Sequence, residues 1–188
     1  MDGIVEMFVT KKITHDNYAL RVVVILATIL IPTTTLIYAI LYQIAFVSLA
    51  FALFMLGGYL IYYTITSQKI EYEYTITNQN LIVDKVINKN KRVNICDLTL
   101  NHITLFAHID DKKLAKIKFA KKFDVSRNIN DSDNYVACFS TPKYGDCCLI
   151  ITPNAEALEF IGRNLPLEQR REFRDTLQEY KNRHNITD

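Results

Sequence analysis

DDKKLAKIKFAKK, residues 110–122, carries six lysines, and INKNKR at residues 87–92 adds three more basic groups. A lysine held near an anionic cytoplasmic leaflet gains about 1 kcal/mol of attraction. Lys89, Lys91, Arg92, Lys112, Lys113, Lys116, Lys118, Lys121 and Lys122 are therefore the residues from which contact with anionic lipid is expected. A solvated, charged sheet edge that resists edge-to-edge pairing accounts for the same pattern. Asp110, Asp111 and Asp124 weaken the basic field.

Other constellations lead away from catalysis. The sequence has no G-x-S-x-G, no H-E-x-x-H, no phosphate loop and no dinucleotide fingerprint. No catalytic residue, cofactor or metal site is expected. NDSDN at residues 130–134 has the oxygen-bearing side chains of a calcium loop but lacks its glycine and distal glutamate, so it reads as a polar turn. His102 and His108 fall on one strand face if the strand is regular, but roughly 20 Å apart, too far to share a metal. Cys96, Cys138, Cys147 and Cys148 form no C-x-x-C pair, and no histidine sits at a zinc spacing. They read as small apolar residues in a reducing compartment, with Cys147 and Cys148 on opposite faces of a strand. Asn185-Ile186-Thr187 is a glycosylation sequon with no meaning on the cytoplasmic side.

The elements that must position the lysines begin with a hydrophobic stretch. Residues 22–68 contain no charged side chain. A span needs about 20 apolar residues, and a continuous helix of this length would reach roughly 70 Å, so two spans joined near Tyr42-Gln43 are expected. Pro32 kinks the first helix, with Thr33, Thr34 and Thr35 available for freed backbone groups, and Gly57-Gly58 permits close packing within the hairpin. Lys11, Lys12 and Arg21 precede the spans, Lys69, Lys85, Lys89, Lys91 and Arg92 follow them, and the turn has neither Lys nor Arg. Both termini are expected in the cytoplasm of a multi-pass cell-membrane protein. Ile4, Val5, Phe8 and Val9 are spaced as a short amphipathic helix that lies on the membrane or packs on the soluble domain.

After residue 68 the pattern becomes β. Ile70, Tyr72, Tyr74 and Ile76 alternate with polar residues, LIVDKVIN follows across Asn78-Gln79-Asn80, and five further strands are expected at 93–99, 102–109, 119–125, 134–140 and 146–152. Polar turns between seven short strands indicate an antiparallel sheet folded as a sandwich or partial barrel. From Asn154, a good cap, Ala157, Phe160, Ile161 and Leu165 mark one helix. Pro166 restarts the chain into a second, with Phe173, Leu177 and Tyr180 as its apolar stripe. Net charge is only +2, from 22 basic and 20 acidic residues, so no nucleic-acid partner is expected.

MDGIVEMFVTKK, the two spans, EYEYTITN, LIVDKVINKNKR, the FDVS segment, KYGDCCLIITPN and the NLP at Leu165 together resemble a family of small bacterial two-span proteins. Its cytoplasmic part is similar to bacterial pleckstrin-homology-like (PH-like) domains. The family usually has Asn-Gly at the first hairpin, where this chain has Gln79. The resemblance implies an α+β fold and a membrane location, with no catalytic residues to carry over.

The expected organisation is a short helix and linker over 1–17, a transmembrane hairpin over 18–68 and a cytoplasmic PH-like β domain with C-terminal helices over 69–188. The expected role is a membrane-tethered, non-catalytic interaction module, integral to the lipid bilayer. It would bind anionic lipid, a protein or a second copy of itself, using a sheet edge or the groove beside the C-terminal helix. The alternative is an accessory subunit of an oligomeric channel or transporter, which the charge-free spans disfavour.

Overall fold

The computed structural model describes residues 3–42, 44–142 and 144–184, with the backbone alone of 45 and 172. Gln43 and the sequon at 185–187 lie outside the described residues. The chain divides into two compact units, one of Lys12–Lys69 and one built from the residues up to Lys11 together with those from Ile70 onward.

The first unit is a helical hairpin. Helix α1 (His15–Leu41) has 27 residues and α2 (Val47–Ser67) has 21, both long and apolar enough to cross a membrane. At 1.5 Å per residue they reach about 40 and about 32 Å, against a hydrocarbon core of about 30 Å. The helical turn Ile44–Phe46 joins them. Pro32 has no N–H for the carbonyl four residues back. The hydroxyls of Thr33, Thr34 and Thr35 donate to the carbonyls of Ile29, Leu30 and Ile31 in the adjoining turn, and that of Thr28 donates to the Val24 carbonyl. Gly57 is buried against Thr28, whereas Gly58 faces open space, so only the first glycine serves the packing of the hairpin. At the open end Arg21 donates from Nε to Gln68 Oε1 at 2.6 Å, tying α1 to the end of α2.

The second unit is a two-sheet α+β fold. Its first strand is a correction to the helix expected near the N-terminus, for residues Val5–Thr10 form strand β1. Ile4, Val5, Phe8 and Val9 satisfy either period. The structure takes the strand because β1 then pairs antiparallel with β2 (Ile70–Ile76), in register from Val5 opposite Ile76 to Thr10 opposite Glu71. Val5 and Val9 enter the core, while Phe8 stays 61% exposed. β3 (Asn80–Ile87) and β4 (Lys91–Thr99) complete an antiparallel sheet of order β1-β2-β3-β4. Its first hairpin turn is closed by the Thr77 hydroxyl, which accepts from the Asn80 amide at 3.0 Å. Left-handed backbone appears one hairpin later, at Asn88 (φ 51°) and Lys89 (φ 59°).

The second sheet contains β5 (Ile103–His108), β6 (Lys121–Asp124), β7 (Tyr135–Thr141) and β8 (Gly145–Ile151), in the order β5-β7-β8-β6. β6 lies parallel to β8, so this sheet is mixed rather than wholly antiparallel. Parallel placement requires a crossover of about a dozen residues. Residues 109–120 are that crossover, running from one edge strand of the sheet to the other.

Between the sheets lie Tyr72, Tyr74, Ile76, Leu81, Val83 and Leu98 from the first, with Tyr135, Ala137, Phe139, Cys147, Leu149 and Ile151 from the second. The two tyrosines also bridge the layers, Tyr74 donating to the Val125 carbonyl and Tyr72 to the Asp124 carbonyl. Helices α3 (Ala155–Asn164) and α4 (Leu167–Arg183) extend this core through Ala157, Leu158, Ile161, Leu165, Phe173 and Tyr180. Asn154 caps α3, its side chain accepting from the Ala157 amide at 2.8 Å. α3 and α4 pack so closely at Gly162 that a Cβ there would meet the Phe173 ring at 2.6 Å.

Candidate functional site

Strands β7 and β8 are apolar on both faces. Inward residues fill the core, while Val136, Cys138, Cys148 and Ile150 form a second buried cluster on the outer face. Cys147 and Cys148 divide between the two, as strand geometry requires. An apolar outer face needs cover, and the crossover supplies it through Ile109, Leu114 and Phe119, beside Leu105 of β5. The lysine-rich segment is thus anchored by its apolar residues against the sheet, which turns its lysines outward.

Lys112, Lys113, Lys116, Lys118 and Lys122 are all exposed. Lys121 is half-buried, with its ammonium 3.8 Å from the Tyr144 ring centroid and 4.8 Å from that of Phe123. Asp111 is turned back into the loop, where its side chain accepts from the Lys113 amide at 2.9 Å. Asp110 lies 3.7 Å from the His108 ring. Asp124 accepts from the Ser126 hydroxyl at 2.6 Å and lies 3.7 Å from Lys11. The acidic residues that dilute the charge in sequence are therefore drawn partly into local contacts.

The other basic stretch belongs to the other sheet. Lys89 occupies the β3–β4 turn, and Lys91 and Arg92 begin the exposed edge strand β4. Arg92 contacts the buried Glu73 at 3.1 Å. Asp84, on the neighbouring strand β3, accepts from the Asn94 side chain at 2.8 Å. The nine basic residues thus fall into two groups, on two sheets. Four of them lie on the crossover and two, Lys121 and Lys122, begin β6 directly after it.

Beneath the crossover is an open groove of about 510 Å³. Val136, Cys148 and Ile150 form its floor, Leu114, Phe119 and Ile129 its walls, and Lys112 and Lys122 stand at its rim. The sequence signal for this site was available, since NYVACFS and DCCLIIT lack polar alternation, as strands buried on both faces do. Lys11, missed as a site neighbour, comes beside Asp124 through β1 pairing.

The remaining candidates are structural. The 126–134 loop is knit together by Arg127 with Asp131, by Asn134 with the Asn128 carbonyl and by Thr152 with Asn134, at 2.7 Å each. Arg127 also lies near Asp133. His108 is packed edge-on to Tyr135, while His102 is exposed at the end of the helical turn Leu100–His102, off the strand. All four cysteines are buried and free. Burial pushes the Cys138 thiol up to about 12 and Cys96 to about 11, away from the thiolate form that nucleophilic chemistry needs. The Cys148 thiol is raised by the same cause.

Two helices of membrane-spanning length, joined to a two-sheet unit closed by C-terminal helices, define an α+β protein of PH-like class. The chain belongs to the family described as bacterial PH-like domain (DUF6106), whose model matches residues 1–169. No curated protein and no solved structure matches it.

Proposed function

We propose that this chain is a membrane-tethered, non-catalytic interaction module whose β unit works at the cytoplasmic face and binds anionic lipid headgroups through the crossover lysines. The observation that carries the reading is the exposure of Lys112, Lys113, Lys116, Lys118 and Lys122 on a segment pinned to the sheet by Leu114 and Phe119. Such a surface presents charge at little further ordering cost. Membership of a PH-like family supports a binding role. The cytoplasmic assignment rests on basic residues at both ends of the hairpin and none in its connection. Both covalent links to Lys12–Lys69 leave the sheet from one end, where Thr10 pairs with Glu71 and Ile70 with Ile87. The β3–β4 turn carrying Lys89 is at that end. The uncharged spans weigh against an ion pathway, and hence against the channel-accessory reading.

The test uses the full chain, because β1 is an integral strand and a fragment from residue 69 would lack it. In nanodiscs containing phosphatidylglycerol, amide exchange over residues 110–122 should slow relative to phosphatidylcholine discs. The protection should fade at high salt and in a variant with Lys112, Lys113, Lys116, Lys118 and Lys122 changed to glutamine. Equal exchange in both lipids would remove the headgroup reading.

A further inference from the structure

The groove under the crossover combines two features that solvated surface loops do not need together. Its floor and walls are apolar, and its charged lining holds the carboxylates of Asp110 and Asp111 and two ammonium groups, Lys112 near the start of the connecting segment and Lys122 in β6. Lys122 pairs in register with Cys148, on the same outer face of the sheet as Ile150 and Val136. Its charge therefore stands over the apolar floor. Among the described residues neither Lys112 nor Lys122 has a carboxylate in ion-pair contact, while Asp111 is turned to the loop backbone. Asp110, also lining the groove, is 83% exposed and directed to His108. A volume of about 510 Å³ falls in the range of roughly 300–1,000 Å³ over which small-molecule sites occur. Apolar depth with an unpaired cationic mouth is complementary to a molecule with an alkyl body and one acidic end.

We infer that this groove binds a long-chain fatty acid, its alkyl chain lying on Val136, Cys148 and Ile150 beneath Leu114 and Phe119, and its carboxylate between Lys112 and Lys122. The site deepens the proposed lipid-binding role and rests on that reading of the crossover. Ligand and lysines work together, for the chain fills the space under the crossover while the carboxylate draws its two ends toward one charge.

The experiment is photolabelling of the full chain in phosphatidylcholine nanodiscs with a diazirine-bearing palmitic acid, followed by mapping of the adducts. Adducts are expected on residues 109–122 and 129–150 and should be competed by unlabelled palmitate. They should fall about tenfold in Lys112→Glu/Lys122→Glu and in Ala115→Trp, whose indole fills the groove from an exposed position. Adducts on the helices, which report probe dissolved in the bilayer, should not change. Labelling confined to the helices, or groove labelling indifferent to both variants, overturns the inference. Loss of groove labelling as protein concentration rises would assign the groove to a second copy and also overturn it. Lysine-loop protection on phosphatidylglycerol without groove adducts would retain the headgroup reading and remove the fatty acid. Adducts without that protection would do the reverse.

Discussion

At the scale of single residues, the most telling groups are buried ones that do no chemistry. Tyr135 is fully buried amid Phe106, Phe173 and Tyr180, and its hydroxyl has no hydrogen-bond partner among the described residues. An unsatisfied buried hydroxyl costs about 1–3 kcal/mol. Tyr135→Phe should therefore stabilise the β unit by about 1 kcal/mol, measured as a higher urea midpoint; destabilisation would mean the hydroxyl has a partner. Burial also holds the Tyr135 phenol and the Cys138 thiol up at about 12 and the Cys96 thiol at about 11. An unfolded thiol ionises near about 8.5 and a phenol near about 10. Between those values and the native ones the folded chain binds more protons, so stability is full below about pH 8.5 and falls as pH rises toward 12. The melting temperature, followed by the near-ultraviolet tyrosine signal in detergent, should drop from pH 8 to pH 10.5. A flat profile would contradict these burials. The same burial makes Cys138, only 3% exposed, a poor reporter of which side of the membrane it occupies.

At the scale of elements, the packing identifies which changes matter. A side chain at Gly57 collides with Thr28 on the facing helix, whereas one at Gly58 meets nothing. Gly57→Val should lower the thermal stability of the hairpin in detergent, while Gly58→Val leaves it nearly unchanged. Equal losses would mean that the second glycine also packs. Deleting residues 3–11 removes β1, withdraws Val5 and Val9 from the core and turns β2 into an open edge. That truncation should aggregate or lose its cooperative melt, and an unchanged melt would refute a structural role for β1. The strands after residue 69 were legible because alternation and turn residues are local signals; each expected strand overlaps an observed one. β1 was not, since VEMFVT fits both a strand and a helix until its partner is known. Nor was the parallel β6–β8 pair, which depends on where a crossover lands rather than on residues within either strand. The lysines were legible as a group, but their division between two sheets and the groove beneath them follow from topology.

At the scale of the whole molecule, the chain combines a hairpin of membrane-spanning length with a PH-like β unit whose lysines lie on a pinned crossover. The proposed role requires that the β unit be cytoplasmic. A reporter must be exposed and must stand among cysteines that are buried; Ser132 is exposed in the 126–134 loop. The most direct measurement is labelling of Ser132→Cys with a membrane-impermeant maleimide, in intact protoplasts and again after permeabilisation. The expected result is labelling only after permeabilisation, with the unmutated chain silent in both. Labelling of the Ser132→Cys variant in intact protoplasts would put the β unit outside and contradict the account.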